Sequence, residues 1–371
     1  MANFHLLLFF IVFLQSRCCA KPESLEFIDF DLYCRDNDNY AVDWWIIYKP
    51  PRDTGPYFES GTNFTYITSQ DVGRWQPSDR SINENSMLQL TLDPLYKKIY
   101  KKHLAVMSYG ERRNEFEDDI RREKSTAFGL MFANSESGLW LSHSVSGFPN
   151  LAIKPALFPE REYKNGHVMM CLTVNVPTLN AISALVRHTE PTILKFTLPD
   201  HIMLALPEWT MLESVAGPNE VKAAKTKLLN FETQERTLRG VLLARSPDDS
   251  RCLYTTFAKM QGLVVDVYSH APRKKIVCKE AYSLRYIDSI SLKFPEISVY
   301  YINNQTDKLS FGVSTAAHWQ RSGHSAPQHW TCSSNIDERA PSTAKGSLLT
   351  CLNHYHVWQT FDNFKIKEPQ C

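Results

Sequence analysis

The side chains best suited to chemistry in this chain are histidines and cysteines, and their spacing limits what they can do. His329, His354 and His356 gather near the C-terminus, and on a strand His354 and His356 would share one face. Such a pair invites a metal ion. No carboxylate or thiolate accompanies it at a specific ligand spacing, so ordinary surface or core histidines are the default and no metal or other cofactor is expected. Beyond residue 20 the cysteines are Cys34, Cys171, Cys252, Cys278, Cys332, Cys351 and Cys371, without the paired CxxC of a zinc site. In an oxidising compartment they are most simply three bridges and one leftover thiol, with a connectivity that spacing does not determine. The mixed-sign run from Glu111 to Lys124 reads as a solvated connection.

The chain's start supplies that compartment. An apolar run from Leu6 to Leu14, too short to span a bilayer, ends near Cys18, Cys19 and Ala20, so residues 1–20 read as a secretory signal peptide, though without Lys or Arg before the run. No later segment offers about 18 apolar residues in a row, so no membrane span is expected. Asn63-Phe64-Thr65 and Asn304-Gln305-Thr306 are sequons, making Asn63 and Asn304 candidate glycosylation sites. Lys and Arg total 41 against 40 Asp and Glu. That balance gives no general pull on nucleic acid or acidic lipid, and any polyanion would need a local basic patch. About 350 residues after the signal leave two lobes or one large domain open.

The elements that must hold these residues mix strands and helices. Val42 to Tyr48 is largely apolar on both alternating faces, as a central strand covered on both sides would be. Ala127 to Ala133 and Gly138 to Val145 form two apolar runs around Asn134-Ser135-Glu136-Ser137, the pattern of a hairpin. A strand from His167 to Val174 carries Cys171, and further strands are expected at 240–244, 263–268 and 297–302. Asp93-Pro94 predicts a helix to about Leu104, Pro177-Thr178 one through Leu185, and Gly217-Pro218 a third that is rich in Lys and Ala. The fold class is therefore a mixed α/β (α+β) arrangement, with a lobe boundary near residue 185.

Several stretches resemble the deoxyribonuclease II family: Val42-Asp43-Trp44-Trp45 with Tyr48-Lys49, Leu139-Trp140-Leu141-Ser142-His143-Ser144-Val145 with Phe148-Pro149, Phe257-Ala258-Lys259 with Asp266-Val267-Tyr268, and Trp330-Thr331-Cys332 followed by Cys351. The resemblance implies a phospholipase D-like pseudo-dimer whose sheet-and-helix halves, 21–185 and 186–371, each bring a His-x-Lys pair to one site. There a histidine attacks phosphorus to give a phosphohistidine, the other protonates the leaving oxygen, and the lysines hold the phosphate's charge without a metal. It also implies the pairs Cys34–Cys171, Cys278–Cys371 and Cys332–Cys351, with Cys252 left over.

Counting back from Trp140, the first His-x-Lys falls on Thr126-Ala127-Phe128. A threonine hydroxyl is a poor nucleophile without a base, and Phe128 offers phosphate neither charge nor a donor. The second pair should precede Trp330: matching His318 puts Gln320 at the lysine, and matching His324 puts Ala326 there. Neither placement restores the pair. His143 matches a family histidine and marks either a working polar pocket or a hydrogen-bonded structural residue. Lys124 and Arg321 are candidates to replace lost charge, against the plainer reading of solvated cations. The expectation is a secreted or lysosome-like deoxyribonuclease II-type protein of lost or weak activity, binding DNA or another partner. One alternative is an active acid endonuclease using His143 and a C-terminal histidine, and another is an extracellular protein-binding chain that touches no nucleic acid.

Overall fold

The computed structural model describes residues 31–97, 102–111, 124–151, 158–213, 226–268, 283–287, 289–293, 299–303, 310–315, 328–334 and 345–364. The expected signal peptide, the Lys- and Ala-rich helix, Asn304, His318, Arg321, His324, Cys278 and Cys371 lie outside the described residues.

In chain order the strands are β1 (Cys34–Arg35), β2 (Ala41–Val42), β3 (Trp44–Lys49), β4 (Thr65–Thr68), β5 (Gln76–Pro77), β6 (Ala105–Gly110), β7 (Gly129–Ala133), β8 (Ser137–His143), β9 (His167–Asn175) and β10 (Thr192–Thr197). They continue as β11 (Thr226–Glu232), β12 (Arg239–Arg245), β13 (Val264–Tyr268), β14 (Ser283–Ile287), β15 (Ser289–Lys293), β16 (Val299–Asn303), β17 (Phe311–Ser314), β18 (Trp330–Ser334) and β19 (Ser347–Asn353). The α-helices are α1 (Met87–Leu92), α2 (Val176–His188), α3 (Asp200–Met203), α4 (Pro207–Glu213), α5 (Leu253–Gln261) and α6 (Tyr355–Asp362). The fold is mixed α+β, as the alternation of apolar runs and helix starts implied.

Two large sheets carry the architecture. The first runs β10-β6-β7-β8-β9-β3-β4-β5, and the second β11-β12-β19-β18-β17-β13-β14, where only the β13–β14 pairing is parallel. Every residue of β3 is buried, because its neighbours β9 and β4 flank it and its two faces point into different apolar layers. Trp44 and Tyr48 face a core shared with Met131 and Trp140, with Leu242 and Leu352 of the second sheet, and with Phe361 of α6. α2 closes this core through Leu179, Ile182 and Val186. Its close seat over β8 depends on Gly138, where a Cβ would fall 2.6 Å from Leu179. On the far side of the second sheet, Leu253 and Phe257 of α5 cover Val265, Val267 and Leu349.

Two of the expected disulfides are present, Cys34–Cys171 and Cys332–Cys351; the latter joins register partners on β18 and β19.

Two local expectations are corrected. The helix expected from Asp93 does not start or end as read: Asp93–Leu95 is a 3-10 turn and Leu104 is not helical, while residues 98–101 lie outside the described residues, and an unexpected helix, α1, begins after Ser86, whose side chain accepts from the Gln89 amide. His354 and His356 do not share a strand face. His354 caps α6, its side chain accepting from the Val357 amide, and His356 lies in the first turn.

Candidate functional site

The β7–β8 hairpin brings Phe128, at the position where the sequence led us to expect the first motif's lysine, beside His143. Asn134 fixes its turn, Oδ1 accepting from the amides of Glu136 at 3.0 Å and Ser137 at 2.9 Å. With that register set, Gly129 pairs with Ser142, and the residues on either side, Phe128 and His143, meet. The His143 amide donates to the Phe128 carbonyl at 3.4 Å, and the two rings stack at 6.4 Å with 19° between planes. Gly110 leaves Phe128 its place, since a Cβ there would lie 2.7 Å from Phe128 Cδ1. Phe148 meets His143 edge-on at 5.6 Å.

His143 is 1% exposed, and its Nδ1 accepts from the Val145 amide at 3.2 Å. Burial, seconded by the nearby His167, pulls its pKa down to about 3, so the ring is neutral in mild acid. His167 is buried on the adjoining strand, with Nδ1 3.1 Å from Ser144 Oγ and Nε2 3.1 Å from Glu162 Oε2. Ser144 Oγ also accepts from the Val168 amide; with His167 neutral its Nδ1 takes the Ser144 hydrogen and Nε2–H donates to Glu162, and with His167 protonated both ring nitrogens donate. Asn165 also donates to that carboxylate at 2.7 Å.

Thr126 faces the other sheet. Its amide and hydroxyl donate to the Gly346 carbonyl at 2.8 and 3.3 Å, and the Gly346 amide donates to the Lys124 carbonyl at 2.6 Å. Ser125 adds a bond to Thr189 Oγ1 at 2.9 Å. The motif position is thus laced to the start of β19. Between the sheets remains a cavity of about 10 Å³, lined by Phe128, His143 and Met170 from one side and by Ser333, Ser334 and Thr350 from the other. That is room for about one water molecule.

Of the other sequence candidates, Lys124 does not turn toward this cavity but pairs with Glu190 at 2.7 Å, which raises its pKa. His329 packs edge-on against Tyr355 and Trp358 at 4.8 Å. Among the described residues no group of three or more His, Cys, Asp or Glu could hold a metal.

The family model for deoxyribonuclease II matches residues 33–371. This chain belongs to the deoxyribonuclease II family. It is similar to plancitoxin-1 of Acanthaster planci, 22% identical over 91% of this chain and 92% of that one, and to deoxyribonuclease-2 of Caenorhabditis elegans, 22% identical over 88% and 91%. Human deoxyribonuclease-2-beta is likewise 22% identical, over 91% of each chain.

Within this family member, sequence reasoning named Asp43 only as motif and missed what it does. Asp43 is 3% exposed and accepts from the hydroxyls of Thr233 and Thr237, both at 2.5 Å, and from the Glu235 amide at 3.0 Å. It thereby pins the β11–β12 turn of the second sheet to the head of β3 in the first. A lone acid inside an apolar run was the available signal, since such a charge must find partners when buried. The cavity's Ser333, Ser334 and Thr350 carried no comparable signal; only strand pairing gathers them.

Proposed function

We propose that this deoxyribonuclease II-family protein engages DNA without efficient hydrolysis, its family phosphoryl-transfer centre having lost its reactive groups. One observation supports the reading: the Phe128 ring, which we read at the first lysine position, stacks on His143 beside a cavity of about 10 Å³. At that position the family's ammonium is replaced by a group that cannot donate or carry charge. Loss of one charged phosphate contact costs about 1.5 to 3 kcal/mol, and loss of the nucleophile at Thr126 adds more. A neutral, buried His143 does not offset this, because it presents no positive charge to an oxyanion in mild acid.

The two disulfides fit an extracellular or lysosome-like setting, and no helix among the described residues is long and apolar enough to cross a membrane. Removal of residues 1–20 and glycans on Asn63 and Asn304 belong to the same proposal. Asn63 is partly exposed, while its sequon Thr65 is buried in β4, so a glycan there would be added before that strand closes. We read the chain as two halves, 21–185 and 186–371, with β10 pairing onto β6 at the edge of the first sheet.

Retention of a short duplex on the full chain, in mild acid with EDTA and graded salt, tests the proposal. Intact DNA held at low salt and released steeply as salt rises supports it. Cut DNA contradicts the loss of chemistry, and no retention at low salt favours a protein partner instead.

A further inference from the structure

A second cavity, of about 580 Å³, opens on the outer face of the first sheet, beside edge strand β10 and away from the central site. None of the residues lining it lines the central cavity, so what it does is independent of the proposal above. Its volume lies in the range of small-molecule sites. Leu95, Leu104, Val106, Leu151 and Leu194 make most of its wall apolar.

Of the polar groups in that wall, two are paired across neighbouring strands. Ser108 on β6 and Lys195 on β10 are register partners, so their side chains leave the sheet on the same face as near neighbours. Ser108 is 2% exposed, and its hydroxyl has no hydrogen-bond partner among the described residues. A buried hydroxyl without a partner is costly unless something fills the cavity and bonds to it. Lys195 stands at the exposed rim and forms no ion pair among the described residues. The second charged group of the wall, Glu111, accepts from the Ser146 hydroxyl at 2.6 Å and adds a negative charge to the lining.

We infer that this cavity binds a monoanionic amphiphile, a fatty-acid-type monocarboxylate whose chain lies among Leu95, Leu104 and Leu194 and whose carboxylate meets Lys195 and Ser108. Two donors match the two oxygens of a carboxylate. A phosphate monoester brings more charge and more acceptors than this pair satisfies, and Glu111 opposes the added charge.

The test is calorimetric titration of the full chain with dodecanoate below its micelle concentration, beside dodecanol and dodecyl phosphate. Saturable binding of dodecanoate is expected, with dodecanol about tenfold weaker. Lys195→Met, an exposed substitution that leaves the fold alone, should weaken dodecanoate about tenfold, and Ser108→Ala several-fold. Absence of saturable binding, an unchanged affinity in Lys195→Met, or dodecanol or dodecyl phosphate binding as tightly as dodecanoate would each overturn the inference.

Discussion

A histidine sealed beneath a phenyl ring titrates differently from one that faces water. The folded pKa of His143, about 3, lies below its ordinary value of 6.5, so between those values the unfolded chain takes up a proton that the folded chain refuses. The stability carried by the neutral ring is therefore complete above about pH 6.5 and falls as pH drops toward 3. Burial shifts His103, His329 and His354 in the same direction. Denaturant unfolding at pH 7 and pH 4.5 should show that His143→Gln loses about 1 kcal/mol or more less than the parent on acidification. Equal losses would mean that the ring is not buried in this way. At this scale the proposed loss of His-x-Lys rests on residue types alone, because Thr126 and Phe128 offer neither imidazole nor ammonium. The stacking of Phe128 on His143 was not read, since it depends on the β7–β8 register and on the space that Gly110 leaves.

Strands were more legible than helix starts. β3, β7, β8 and β9 announced themselves as apolar runs bounded by turn residues. The start of α1 was hidden by the more conspicuous Asp93-Pro94, although Ser86 and Gln89 stand at capping-box spacing. α6 was obscured by His354 and His356, while Val357 and Phe361, four apart and both buried, held the helical period. What joins the sheets rests on two small features. A Cβ on Gly346 would lie 2.0 Å from the Thr189 carbonyl oxygen, a backbone atom that cannot swing aside. Gly346→Ala should lower the unfolding free energy by about 2 to 4 kcal/mol. Asp43→Asn keeps the shape but turns one accepting atom into a donor among donors, and should cost about 2 to 3 kcal/mol in the same measurement. A loss under 0.5 kcal/mol at either position would show that these contacts do not couple the sheets.

Over the whole molecule, the Cys34–Cys171 bridge spans 137 residues of sequence. The chain-entropy estimate for a loop of that length is about 4 to 5 kcal/mol, so Cys34→Ser with Cys171→Ser should lower the unfolding free energy by about that amount. The Cys332–Cys351 bridge, separated by 19 residues, should contribute about 3 kcal/mol. Such framework residues, like the shared apolar core, serve the fold whether or not the centre turns over, which is why family membership and fold class were legible across the chain while the role was not. The decisive observation is nicking of supercoiled plasmid in mild acid with EDTA by the full chain, run beside an active deoxyribonuclease II. A phosphoryl-transfer centre built on Thr126 and Phe128 should leave the plasmid supercoiled at enzyme levels where the active relative relaxes all of it. Nicking at a comparable rate, abolished by His143→Ala, would contradict the loss of catalysis.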